Sequence, residues 1–191
     1  LTRNGVLGLL LVFLTLALTL DLKLAFWTTL GIPIAFLGGF MLFSNFVTIN
    51  MASLFALIIV LGIVVDDAIV VGENIFQEQR DGKHGLIAAV SGARGVFAPV
   101  MVGALTTMVS FAPLFFSTGR IGQIMFAVPV VVIGVLIISL LEVFTILPAH
   151  LSHESEWSVG PMRRIKNAVS DLLHGFRDRC MVPLIRLATR L

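Results

Sequence analysis

The sequence predicts an all-α membrane protein, a five-transmembrane-helix bundle followed by a basic amphipathic interfacial helix. Three observations predict it. Of the 191 residues, 58% are hydrophobic and only 13% are charged, about half the charged share of a soluble domain. Five apolar runs approach the length of a spanning helix, which takes about 20 mostly apolar residues. None of the runs shows the period-two alternation that a membrane β-barrel needs.

The runs cover about 5–20, 25–43, 51–72, 96–116 and 121–147. Asp21-Leu22-Lys23 joins the first two, a connector short enough to make them an antiparallel hairpin. Ser44-Asn45 and Asn50 flank the second turn, and Asn50 is placed to cap the third helix. The longer connector, 75–95, has QEQRDGKHG at its heart, where Asp81-Gly82 reads as a turn. Leu86 to Val90 then leads helically into the fourth span. Ser117-Thr118-Gly119-Arg120 joins the last two. The bundle is assigned to 1–150, with 151–191 as the amphipathic helix and the start of a following segment.

Charge placement sets orientation, because short cytoplasmic loops collect lysine and arginine. With the C-terminal side inside, Lys23, Arg80, Lys83, Arg94 and the tail's basic residues are cytoplasmic, and only Arg3 and Arg120 lie outside. The expectation is N-terminus outside, C-terminus inside. In the tail, Met162, Ile165, Val169, Leu172, Leu173 and Phe176 recur at helical spacing, while Arg163, Arg164, Lys166 and Arg177 fall largely on the other side. Such a helix suits an anionic inner leaflet, so membrane lipid is an expected partner.

Other classes are set aside by what the residues lack. A formal charge of +2 gives no footprint for nucleic acid. One cysteine, Cys180, allows no internal disulfide. No G-x-x-x-x-G-K-[ST] loop occurs, so neither ATP-driven transport nor any cofactor is expected. His150, His153 and Glu154 form H-x-x-H-E, but their Ser-rich, Pro-preceded setting reads as a loop without third and fourth ligands, so no metal is expected. The chain starts at Leu1 without a signal-peptide pattern, and its two ends read as cut points inside a longer protein.

The residues that ask for a reason are Asp66 and Asp67, in LGIVVDDAIVVGEN. One charge at the centre of a membrane helix costs about 2.5–3.5 kcal/mol even on a lenient scale. If the third span stopped before them, its apolar part would measure roughly 22 Å, short of a hydrocarbon core about 30 Å thick. Ala68-Ile69-Val70-Val71 then resumes the run, and Glu73-Asn74 reads as its cytoplasmic end. The aspartates therefore lie inside the span. Adjacent helical positions differ by about 100°, so both fit one broad polar face, with Gly62 leaving room a turn before Asp66. Two like charges so close in low dielectric do not ionise together easily, and the pair titrates as a coupled unit. Intramembrane acids of this kind mark proton relays. The plainer reading is a fixed ion pair between helices, but no lysine or arginine lies deep in any span, so its cation must come from outside this chain.

Secondary polar candidates are Glu142, Glu73 and Asn74. Glu142 precedes Pro148 by about a turn and a half, so its side chain is expected to reach the interface or to pair with Arg94 or a tail arginine. Thr106, Thr107 and Ser110 read as hydrogen-bond partners between helices. Gly31, Gly38, Gly39 and Gly103 read as close helix contacts, and Pro33, Pro99, Pro113 and Pro129 as places where spans bend.

LGIVVDDAIVVGENI resembles the fourth-transmembrane-helix motif of resistance-nodulation-division efflux pumps. FAPLFFSTGRIGQIM and TILPAHL resemble later stretches of the same membrane repeat. The resemblance covers the second to sixth helices of the first repeat. It implies a proton-driven exporter in the inner membrane of a Gram-negative bacterium. Such a pump is a homotrimer working with a periplasmic adaptor and an outer-membrane channel. It also implies Asp66 and Asp67 as the relay acids, with their partner lysine in a second membrane repeat. The remainder of that transporter, including its periplasmic domains, becomes an expected partner. Two adjacent aspartates resemble the multidrug branch more than the heavy-metal branch. The alternative is a non-transporting regulatory or assembly domain of sterol-sensing-like type, in which the aspartates only pack.

Overall fold

A computed structural model describes residues 2–153, which are helical almost throughout, with no strand among the described residues. The chain divides into two units. The first, as far as it is described, holds α1 (Thr2–Thr19) and the first residues of α2 (Leu22–Phe43). The second holds the rest of α2, then α3 (Met51–Arg80), α4 (Gly85–Gly95) and α5 (Phe97–Phe111), the last continued by a 3₁₀ turn over Ala112–Phe116. It closes with α6 (Gly119–Met125), α7 (Ala127–Leu141), a π-helical turn over Glu142–Ile146 and α8 (Leu147–Leu151).

Four stretches are long and apolar enough to cross a membrane: Leu22–Phe43, Met51–Arg80, Phe97–Phe116 and Gly119–Leu151. The first expected span corresponds to α1, whose apolar part, Gly5–Thr19, is shorter than these. The expected amphipathic helix at 162–176 lies outside the described residues.

Asn50 starts α3 as its composition suggests. Its side chain accepts from the Ser53 amide at 3.0 Å, and its own amide donates to Ser53 Oγ at 2.7 Å. This capping box satisfies two amides that a helix start leaves open. Asn50→Ala is expected to lower stability by about 1 kcal/mol, seen as an earlier midpoint when the purified protein is unfolded in mixed micelles.

Prolines set the breaks. A proline ring collides with the carbonyl four residues earlier. For Pro99 that residue is Gly95, where α4 ends, and for Pro129 it is Met125, where α6 ends. For Pro148 it is Phe144, inside the π-helical turn, which absorbs the missing hydrogen bond.

The core of the second unit joins α3 to α7. Ala56, Val60 and Val64 recur every four residues on one face of α3 and pack with Val128, Val131, Val132 and Val135. Small residues bring α2 against α7. A Cβ on Gly39 would lie 2.7 Å from Val135 Cγ2, and one on Gly38 would lie 2.7 Å from Ile138 Cγ2. Gly103, by contrast, meets no described residue within 4 Å. The hydroxyls of Thr106, Thr107 and Ser110 donate to carbonyls of their own helix four residues back, at 2.7, 3.1 and 2.7 Å, and not to a neighbouring helix.

Candidate functional site

Helix α3 carries both aspartates, and its length explains how. Thirty residues reach about 45 Å, well beyond a core of about 30 Å. The helix does not stop at Glu73-Asn74 but runs on to Arg80, so its last turns project from any bilayer that contains Asp66 and Asp67. The continuation is held by contacts with α4 and the turn before it. Asn74 Nδ2 donates to Gly92 O at 2.7 Å, tying α3 to α4. Glu78 pairs with Lys83, whose ammonium also donates to Ser91 Oγ at 2.7 Å. The reversal needs only Asp81–His84, with Gly82 at φ +93°, the left-handed conformation common just past helix ends.

The two aspartates do not share one environment. Val60, Val64, Ala68 and Val71 define the buried face of α3. Asp67 sits about 60° from that face and Asp66 nearly opposite it. Accordingly Asp67 is half-buried and Asp66 exposed. Asp67 Oδ2 is enclosed and has no hydrogen-bond partner. Asp66 shares the outer face with Gly62, beside which there is open space, and with the exposed Phe55, Ile58 and Val70. Neither carboxylate forms an ion pair with a described residue. The broad polar face expected from the sequence is thus a boundary: Asp67 borders the core, and Asp66 stands on a surface that no described element covers.

Glu142 departs from the sequence expectation. It is only 4% exposed. It neither reaches outward nor pairs with Arg94, which is itself exposed; the tail arginines lie outside the described residues. Its carboxylate packs against α2, where a Cβ on Gly31 would lie 2.7 Å from Glu142 Oε1. Regular helical spacing accounts for this: Glu142 follows the buried Val135 and Ser139 by seven and three residues and so continues the buried face of α7. Glu73 is half-buried, and Asn74 is engaged in the tie to α4. His150 stacks on Trp27 with ring centroids 3.6 Å apart and planes within 6°. Glu154 lies outside the described residues. Sequence reasoning missed the buried Thr28 and Ser139 hydroxyls, which lack partners; isolated hydroxyls in apolar helices are too common to stand out.

Residues 1–153 match the sequence model of the AcrB/AcrD/AcrF family. The chain is 37% identical over 120 residues to the multidrug resistance protein MdtC of Escherichia coli O139:H28, covering 62% of this chain and 12% of that protein. It is 32% identical over 140 residues to the toluene efflux pump membrane transporter TtgE of Pseudomonas putida, covering 71% and 13%. It is 27% identical over 149 residues to the swarming motility protein SwrC of Bacillus subtilis, covering 75% and 14%. The chain thus spans about one eighth of the length of the curated relatives it matches.

Proposed function

The chain belongs to the AcrB/AcrD/AcrF family of resistance-nodulation-division transporters, and from that premise we propose that it is the proton-coupling part of a multidrug efflux antiporter. Asp66 and Asp67 are the relay. Protonation releases a cation held between them and the rest of the transporter, the helices shift, and a distant substrate-handling domain changes state. A proton drives such a change only by favouring one of two arrangements over the other.

The observation that carries this reading is Asp66, a carboxylate on an apolar span, exposed where this chain offers it no counter-charge among the described residues. Lipid cannot be the neighbour of an ionised carboxylate at that depth without a cost of several kcal/mol. A basic side chain from a second membrane repeat fits there, and Gly62 leaves the room for it. The names of MdtC and TtgE favour drugs or other hydrophobic compounds as cargo. The parent sits in the bacterial inner membrane with the start of this segment periplasmic. It assembles as a homotrimer with a periplasmic adaptor and an outer-membrane channel.

Proton uptake separates this reading from a non-transporting regulatory domain. When ethidium is added outside everted vesicles holding the parent transporter and an imposed acid interior, a pH-sensitive dye is expected to report protons leaving as ethidium enters. Ethidium movement with no proton flux would refute the assignment.

A further inference from the structure

A second acid lies deeper in the same unit. Close contacts between α2 and the α7–α8 segment run antiparallel: Gly39 with Val135, Gly38 with Ile138, Gly31 with Glu142, Trp27 with His150. Thr28 lies one turn from Gly31 on α2, and Ser139 one turn from Glu142 on α7, since positions three apart share a helix face. The two hydroxyls therefore flank the Glu142 carboxylate along the helix contact. Thr28 is 2% and Ser139 0% exposed, and both Oγ atoms are enclosed without a hydrogen-bond partner. No described residue gives Glu142 a hydrogen bond or an ion pair.

Ser139 also points the way to Asp67. Helices α3 and α7 run parallel. Their early turns share one core cluster, and near the other end Gln79 Nε2 donates to Leu151 O at 3.1 Å. Counting back roughly twelve residues along each puts Asp67 and Ser139 at one level on adjoining helices. Asp67 Oδ2 is the third enclosed oxygen without a partner. An unsatisfied buried polar group costs about 1–3 kcal/mol. Three polar side chains left this way, around a buried carboxyl group, are explained by a use for them. Ordered water is held in proteins by such groups.

We propose that Glu142 is a second proton-carrying carboxyl group of this membrane domain, joined to Asp67 through the Ser139 hydroxyl and bound water, with Thr28 on its far side. This role rests on the aspartate pair's being the proton relay. The step moves a proton only: protonated Asp67 gives one to water, and water gives one to the Glu142 carboxylate, so charge is conserved. The other titratable groups on the packed elements are Lys23 on α2, Asp66, Glu73, Glu78 and Arg80 on α3, and His150 on α8. None of them pairs with Glu142.

Infrared difference spectra of the parent transporter in lipid vesicles, taken between about pH 5 and pH 9, read carboxyl protonation through the C=O stretch. One titrating band is expected to vanish in Glu142→Gln and to persist in the Asp66→Asn/Asp67→Asn double variant. Its midpoint is expected to move in Ser139→Ala. Glu142→Asp is expected to keep a band at a changed frequency, which retains the test should the Gln variant misfold. Spectra of Glu142→Gln that match the unsubstituted transporter throughout, or a band indifferent to Ser139→Ala, would overturn the proposal. Normal ethidium export by the double aspartate variant would instead sink the aspartate assignment while leaving the Glu142 band readable.

Discussion

Asp67→Asn and Asp66→Asn are each expected to abolish ethidium export driven by a pH gradient, measured in vesicles containing the parent transporter. Asparagine keeps the size of the side chain and removes only its ability to carry a proton or a charge. At Asp67 the exchange leaves one enclosed atom without a partner, as before, so folding changes little. At Asp66 the side chain is exposed, and even less packing is at stake. What disappears is the difference between two protonation states, and with it the only quantity by which a proton gradient biases one arrangement over the other. The expected loss is on the order of 10²-fold or more, the scale at which a positioned proton-transfer group acts. The two variants should also respond alike to the size of the gradient, both being flat where the unsubstituted transporter rises. Export that persists in both would remove the aspartates from the mechanism and leave them as packing groups.

The different settings of the two aspartates sharpen what each variant tests. Their offset of about 100° follows from helix geometry alone, and so does the conclusion that they cannot point along one line. Which of them borders the core depends on where α7 packs, and nothing within 61–75 encodes that. Helix existence was legible because hydrophobic runs of this length have no other stable form in lipid. The Asn50 cap and the turn at Asp81-Gly82 were legible because each is a local interaction with a local residue signature. The continuation of α3 beyond Glu73-Asn74 was not legible, for the converse reason. Asn74 looks like a terminus in one dimension, but its amide is occupied by Gly92 across a helix contact. Glu142 shows the same limit more strongly. A single glutamate near the end of a span reads as a group reaching for water, and only Gly31, far earlier in the chain, reveals the slot in which it sits.

Gly92→Ala is expected to loosen the joint between α3 and α4, by an amount that a helix-propensity argument would get wrong in sign. In an exposed helix interior, replacing glycine by alanine stabilises by about 1 kcal/mol. At Gly92 the new Cβ would lie 2.5 Å from Ile75 Cα and 2.7 Å from Ile75 N. Carbon atoms pack best about 3.5–4.0 Å apart. Both atoms belong to the backbone of a regular helix, so no side-chain rotation relieves the contact, and α4 must move away from α3. That movement pulls the Gly92 carbonyl from Asn74 Nδ2, now 2.7 Å away. Overpacking costs about 1–3 kcal/mol and the hydrogen bond about 0.5–1.5, which together exceed the gain in propensity. The purified transporter is therefore expected to unfold several degrees earlier on heating. Gly92→Val should be worse, since it adds methyl groups at the same point. Trimming the neighbour provides the check. Ile75→Ala should not rescue Gly92→Ala, because the atoms in the way are Cα and N, which every residue has. A clear rescue would mean that the side chain, and not the backbone, sets the distance between these helices. Asn74 lies about two turns beyond Asp67 on the same helix, so loss of this joint should also weaken export, while Asp66 and Asp67 remain able to exchange protons.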